Sequence, residues 1–598
     1  MLGRTLTTNF GKVMTRGVLT LLGTATLPAL GGQAPSVAVI EIEGSPAEME
    51  SGFTWLGDGG QTLLGLVETL DTIAVDDEFS GVLIRLKDAQ LGMTQVEELG
   101  SAIRRLREAG KRVDVFAEGY GTTDLLLGAQ ADQAIIQTGG AVSFPGLYME
   151  EMYLADTLDW VGVKAQLVQV GDYKGANEQM TRSTPSPQWD ENISSLLDSI
   201  YENMRTVMRT GRGMTDAELD EAMRVAWMAT GDEAVESGLI DAQVDLPDLP
   251  EYLQGVYGGA VTWVKDPYAV RQAGPDFSNP FALFAQIGKP SKITVDHPTV
   301  AVLHINGTII DGDSSSGGFF GGGSSVGSRT IRNAIEEILK EPLIKGVIVR
   351  VDSPGGSAIA SEIMWQGITR LRAEKPVWVS VGGMAASGGF YVLSAGEKVF
   401  VNPSSIVGSI GVVGGKYSMA DLYEKAHINI VERARGPMAG LFGSAEAWDA
   451  SELAAVRERM AKTYDLFTSR VLAGRPGIDL SKTAEGRLFV GSDAVELNMA
   501  DAIGGLDDAV NELASTLGLS DFDVVHYPAP PSLEDVLEGM LGGMVSAPGM
   551  SLPGSVGQVL KGLIGDARYE SMVDTLNGIM LLQNEPVLLI NPRAILVR

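Results

Sequence analysis

GVLIRLKD at 81–88 is answered by GVIVRVDS at 346–353. The separation, 265 residues from Gly81 to Gly346, carries RRLR at 104–107 onto TRLR at 369–372 without a gap, and AIIQTGGAVSFPG at 134–146 onto VFVNPSSIVGSIG at 399–411. Neighbouring offsets pair VAVIEIEG at 37–44 with VAVLHING at 300–307, and GDEAVESGLIDA at 231–242 with GSDAVELNMADA at 491–502. Self-similarity at one period is the mark of a duplicated unit. The two copies span roughly 36–245 and 298–510.

Within each copy, short β-branched runs such as Val347–Val351 and Val377–Val381 alternate with stretches of helical period such as Ser328–Leu339. That alternation predicts βαβ units around buried parallel strands, an α/β fold built twice. The expected division is 1–35 as an export signal or membrane anchor, 36–275 as the N-terminal copy, 298–525 as the C-terminal copy and 526–598 as a tail. After Arg4, Lys12 and Arg16 no charge occurs until Glu41, and the apolar stretch Val18–Leu27 runs into Pro28, the order of an export signal. The Gly- and Ser-rich stretch Asp311–Ser328 reads as a mobile loop, a lid or a connection. The Pro-, Gly- and Met-rich stretch 529–554 reads as a linker or surface tail.

Composition removes several kinds of function. A chain of 598 residues with 45 Lys and Arg against 76 Asp and Glu carries a net charge of −31 and no strongly basic run, so most of its surface repels a phosphate backbone and nucleic acid is excluded as a partner. Without cysteine there is no disulfide, thiolate metal site or cysteine nucleophile. His297, His304, His427 and His526 are scattered and form no HExxH-type pattern.

Two motifs of the second copy carry chemistry. DSPGGS at 352–357 follows a predicted strand, and MAASGGFY at 384–391 follows another. Glycines at such strand-to-helix turns free backbone N–H groups to face a developing oxyanion, and Ser387 stands where a nucleophile would attack. Small neighbours around a serine also arise from tight packing alone, so the pairing with Pro354-Gly355-Gly356 is what gives the motif weight.

PGGS, AASGG and VGSIG in that order resemble the Ser/Lys signal peptide peptidases of protease IV type, a branch of the Clp protease/crotonase superfold, over nearly the whole chain. The resemblance implies a serine from the C-terminal copy and a lysine from the N-terminal one, and GDYKGA at 171–176 matches the lysine motif at Lys174. It implies Ser387 as nucleophile, Lys174 as general base, Ser409 of VGSIG as the residue orienting the amine, and Gly388 with Gly356 or Gly355 as oxyanion donors. Also implied are signal peptides or other unfolded apolar peptides as substrates, association with the periplasmic face of the inner membrane, a homotetramer and no cofactor.

The duplication supplies a separate test. Ser387 maps onto Thr122 in EGYGTTDLL, and the Pro-Gly-Gly positions onto Ala89, Gln90 and Leu91, so the first copy lacks the nucleophile and its turn. Lys174 maps onto Ala439, so the second copy lacks the lysine. Complementary loss is what one composite site leaves behind. A lysine acts as base only when neutral, which requires burial to depress its pKa. His427, in EKAHINIV, reads as a surface or packing residue. The rivals are a crotonase-like acyl-CoA enzyme, which needs no Ser/Lys pair, and a scaffold that has lost catalysis.

Overall fold

The computed structural model describes residues 34–49, 61–268, 293–315, 324–529 and 587–590. The expected export signal falls almost wholly outside the described residues, as do the middle of the Gly/Ser loop and nearly all of the 529–554 linker. No helix among the described residues is long and apolar enough to cross a membrane.

Valine- and isoleucine-rich runs form the strands as expected. In the first copy these are β1 (Ser36–Glu43), β2 (Phe79–Lys87), β3 (Arg112–Ala117), β4 (Gln133–Gln137), β5 (Lys164–Val170), β6 (Ala242–Val244) and β7 (Thr262–Lys265). All but β5 join one parallel sheet in the order β6-β4-β3-β2-β1-β7. The second copy repeats it with β8 (Thr299–Asn306), β11 (Ile344–Ser353), β13 (Val377–Ala386), β14 (Val399–Val401), β15 (Ile406–Gly408), β17 (Leu488–Val490), β18 (Ala502–Ile503) and β19 (Asp523–Tyr527), in which only β17 runs antiparallel to its neighbour. The helices follow the same offset: Leu63–Val75 corresponds to Ser328–Lys340, and Met93–Glu108 to Ala358–Arg372. The central strands β1–β4, β8, β11, β13 and β14 are buried along most of their length, the burial that an apolar run without alternation requires of a parallel sheet.

A third sheet joins the copies and belongs to neither. Its order is β10-β9-β12-β20-β16-β5, with β9 (Thr308–Ile310), β10 (Ser325–Gly327), β12 (Gly355–Ser357), β16 (Val412–Ser418) and β20 (Val587–Ile590). β5 pairs antiparallel with β16 from Val170↔Val412 to Lys164↔Ser418. Neither repeat equivalent, 429–435 for β5 or 147–153 for β16, forms a strand, so the complementary loss seen in single residues extends to whole elements. The cores also interpenetrate: Ala386, Ile406, Leu488 and Val490 of the second copy lie in the first copy's core, and Val168 of β5 lies in the second's.

The expected boundary between 525 and 526 cuts through β19, and the expected tail contributes β20 to the joining sheet. Both strands satisfy backbone groups of a neighbouring strand, which a solvent-exposed tail would leave to water.

Candidate active site

β5 delivers Lys174. The chain leaves Val170 through Gly171, at φ +110°, where a Cβ would lie 2.7 Å from the carbonyl carbon of Glu485. The second copy pins this turn: the Tyr173 N–H donates to the Glu485 carbonyl at 2.8 Å, and the Asp172 N–H to the Glu485 carboxylate at 3.3 Å. The Arg487 guanidinium lies over the Tyr173 ring, 3.8 Å from its centre. Gly486 rests against Lys174 so closely that a Cβ would come within 2.5 Å of the lysine Cα. Gly411, of the VGSIG motif, likewise leaves room for the lysine stem, 3.0 Å from Lys174 Cδ to the position its Cβ would take.

The side chain is 1 % exposed. Its Nζ lies 2.7 Å from Ser387 Oγ, 2.7 Å from Ser409 Oγ and 2.8 Å from the Ser409 carbonyl oxygen. Burial holds the ammonium well below the usual lysine range, and among the described residues no carboxylate pairs with it to restore the charge. A neutral amine has two N–H groups and one lone pair, and three partners stand around this one. With the N–H groups donated to the two Ser409 oxygens, the lone pair is left to accept the Ser387 O–H.

Ser387 follows β13 directly and precedes the helix Gly388–Leu393. It sits at φ +55°, ψ −110°, and its N–H donates to the Gly408 carbonyl at 2.8 Å. A non-glycine residue in that region is strained, of order 1–3 kcal/mol, and persists only where its surroundings impose it. The small neighbours are sterically required as well, because a Cβ on Gly388 would lie 2.6 Å from Ser361 Oγ and one on Gly389 2.7 Å from the Ser353 carbonyl oxygen. Packing and chemistry therefore ask for the same glycines.

β12 brings up the other turn. Gly355, at φ +97°, approaches so closely that its Cβ would lie 2.7 Å from the Gly388 nitrogen. The Gly355 N–H donates to Ser353 Oγ at 3.1 Å, and Ser353 Oγ donates to the Gly307 carbonyl at 2.7 Å. Ser357 ends the strand and caps the following helix, accepting from the Ala360 N–H at 3.2 Å. Just upstream, the buried Asp352 carboxylate accepts from the Met384 N–H at 3.0 Å and so ties β11 to β13. Burial, and then the charge of Glu48, push its pKa up to about 6.

All six residues expected at the site thus converge: Ser387, Lys174, Ser409, Gly388, Gly356 and Gly355. Their repeat equivalents do not. Thr122 begins the helix Thr122–Gly128 without the positive φ of Ser387, and Ala439 is exposed. His427 is exposed on the loop after the helix Ala420–Lys425, while His304 and His526 pair with each other at 2.8 Å on β8 and β19. Sequence reasoning missed Glu485, Gly486 and Arg487, whose role depends on a contact across more than three hundred positions. The only available sign was a glycine two residues before the LFV strand.

A serine hydroxyl held against a buried, unpaired amine, on a duplicated Clp protease/crotonase-like α/β fold, defines a serine peptidase. The chain belongs to peptidase family S49, which it matches over residues 105–254 and again over 369–520. It is 27% identical to the chloroplastic serine protease SPPA of Arabidopsis thaliana over 538 residues, 88% of this chain and 76% of that one. Protease 4 of Salmonella typhi is 25% identical over 81% of this chain and 77% of its own length. Protease 4 of Haemophilus influenzae is 29% identical over 73% and 70% respectively. The resemblance drawn from PGGS, AASGG and VGSIG is borne out, and nothing favours the acyl-CoA rival.

Proposed function

We propose that this chain is an endopeptidase in which Ser387 attacks the scissile carbonyl and Lys174 is the general base. Lys174 takes the Ser387 proton as the Oγ–C bond forms; the tetrahedral intermediate then expels the amine, which leaves with that proton. Water, deprotonated by the regenerated neutral Lys174, then attacks the acyl-enzyme, and the proton returns from Lys174 to Ser387 Oγ as the acid is released. Ser409 fixes the amine through two hydrogen bonds, which directs its lone pair at Ser387. Gly388 and Gly356 supply the oxyanion N–H groups. Gly355 shapes the turn instead, since its own N–H is already donated to Ser353. The observation that carries the reading is the three-partner environment of a buried Lys174, whose pKa burial depresses.

The substrates are signal peptides or other unfolded apolar peptides, which must be extended to enter the joining sheet. Action at the periplasmic face of the inner membrane is supported by the uncharged stretch from Gly17 to Ile40. A homotetramer is supported by exposed apolar side chains on neighbouring segments, Trp160 with Ile428, Ile430 and Val431. A serine-directed phosphonate tests the core of this reading. It should label Ser387 in the intact chain, with labelling and peptide hydrolysis both lost in Ser387→Ala and labelling strongly slowed in Lys174→Ala. Unchanged labelling in Lys174→Ala would remove the lysine from the mechanism.

A further inference from the structure

β11 and β13 run in register from Val347↔Val377 to Val351↔Val381 and meet again at Ser353↔Ala385. Between those pairs a single residue, Asp352, faces three, Gly382, Gly383 and Met384, so β13 carries a bulge just upstream of Ser387. The bulge is where β13 changes neighbours. Val379–Val381 pair with β14, whereas Met384–Ala386 pair with β15, which ends at Gly408 beside Ser409. A bulge bends the strand that bears it, and next to active sites it serves to aim a side chain.

Asp352 holds this bulge. The Met384 N–H donates to its Oδ1 at 3.0 Å, and the Gly383 N–H is turned toward the same carboxylate. Both N–H groups stand where the ladder register is interrupted, and a carboxylate meets them with charge-assisted hydrogen bonds. Glycine leaves the room: a Cβ on Gly382 would lie 3.2 Å from a carboxylate oxygen, and one on Gly383 3.3 Å. Ser405 Oγ also donates to the Gly382 carbonyl, at 2.7 Å. Arg350, two residues before Asp352, gives its hydrogen bonds to Glu48, Glu98, Ser380 and the Val381 carbonyl, which leaves Asp352 to the main chain of the bulge.

The next residue, Ser353, holds the Gly355 N–H through its Oγ, so Asp352 stands at the junction of the oxyanion turn and the nucleophile strand. The duplication again supplies a contrast. Asp352 maps onto Lys87, whose amine pairs with Glu41 at 3.4 Å, and β2 and β3 pair without a shift from Gly81↔Arg112 to Leu86↔Ala117. The copy without the nucleophile has neither the carboxylate nor this interruption of the ladder. We infer that Asp352 is a positioning residue for the proposed hydrolysis, setting Ser387 against the oxyanion turn on one side and against Ser409 and Lys174 on the other. The inference rests on the Ser387 and Lys174 reading and extends it to a residue outside the dyad.

Hydrolysis of a fluorogenic apolar peptide by the full chain tests this, with the rate of phosphonate labelling of Ser387 measured alongside. Asp352→Ala should lower kcat by ~10²-fold or more, the cost of a misplaced reacting group, leave KM close to that of the parent and slow labelling in proportion. Asp352→Asn, whose amide oxygen can still accept from the Met384 N–H, should recover kcat to within about tenfold of the parent. A structural role alone would move the melting temperature and leave the kcat of the folded chain unchanged. Parental kcat in a folded Asp352→Ala, with or without a change in KM, overturns the inference, and so does an Asn variant as slow as the Ala one. Should Asp352→Ala not fold, Asp352→Ser takes its place with the same expected loss; if neither folds, Asp352 is a structural residue and the inference falls. Lys174→Ala belongs in the same series. Parental kcat there overturns the dyad, whereas an inactive Lys174→Ala beside a parental Asp352→Ala overturns this inference alone.

Discussion

At the scale of the residue, the proposed base Lys174 links activity to stability. Its pKa is depressed in the folded state by burial and is ordinary in the unfolded chain. Between the two values the unfolded state binds the additional proton, so this group contributes stability that rises with pH across that window and is lowest below it. Lys174→Met keeps the volume and removes the titration. It should abolish hydrolysis while raising the melting temperature, and the gain should be largest at the acidic end of the folded range; a melting temperature below that of the parent at every pH would contradict burial as the cause. In the parent, kcat/KM should rise with pH along a limb well below the usual lysine range, and His427→Gln should leave that limb in place, since His427 is exposed and outside the site's hydrogen bonds. Ser387 and Lys174 could be found from sequence because each motif survives in one copy and is missing from the other. The histidines could not be sorted that way: His304 and His526 meet only because β8 and β19 lie side by side.

At the scale of the element, the turn between β5 and the short helical turn Gly175–Asn177 has to be held against the second copy to present the amine. Gly486 does this by its absence of a side chain, at φ +89° with the Lys174 backbone where a Cβ would go. Gly486→Ala should therefore cut kcat by at least the ~10²-fold typical of a displaced base, with KM and circular dichroism little changed. A variant with parental kcat would show that the turn yields without moving the amine. The strands and helices of both copies were legible, since a β-branched run or a helical period is a local property. β16 and β5 were not: they occupy opposite positions in their copies, and neither has a strand at its repeat equivalent. β20 was less legible still, only four apolar residues between Pro586 and Asn591-Pro592, with a partner more than two hundred positions away.

Across the whole molecule, a buried ionic knot joins the copies. Arg350 on β11 donates from Nε to Glu48 at 2.8 Å and from Nη2 to Glu98 at 2.8 Å, both carboxylates coming from the first copy. Glu98 also accepts from Asn402 Nδ2 at 2.8 Å and from the Leu506 N–H at 3.2 Å. Removing one partner of such a set leaves a charge without compensation, at a cost of about 3–5 kcal/mol. Glu98→Ala should lower stability in denaturant titrations by that order, whereas loss of the exposed pair between Lys462 and Glu458 should cost under ~0.5 kcal/mol. Equal effects of the two would mean that water reaches the knot.

The pairing of β5 with β16 also has a consequence for how the protein is made. Translation delivers residues 164–174 long before 387 and 412–418 exist, and until then the lysine is in water, protonated and unable to accept a proton. The nucleophile, when it emerges, has no base of its own to wait beside. With the proposed dyad divided in this way, neither nascent half would be a protease, and the ribosome could extend this chain without exposing it, or its neighbours, to its own chemistry. On the proposed dyad, proteolytic competence requires the pairing of β5 with β16 and depends on correct folding as much as on any residue.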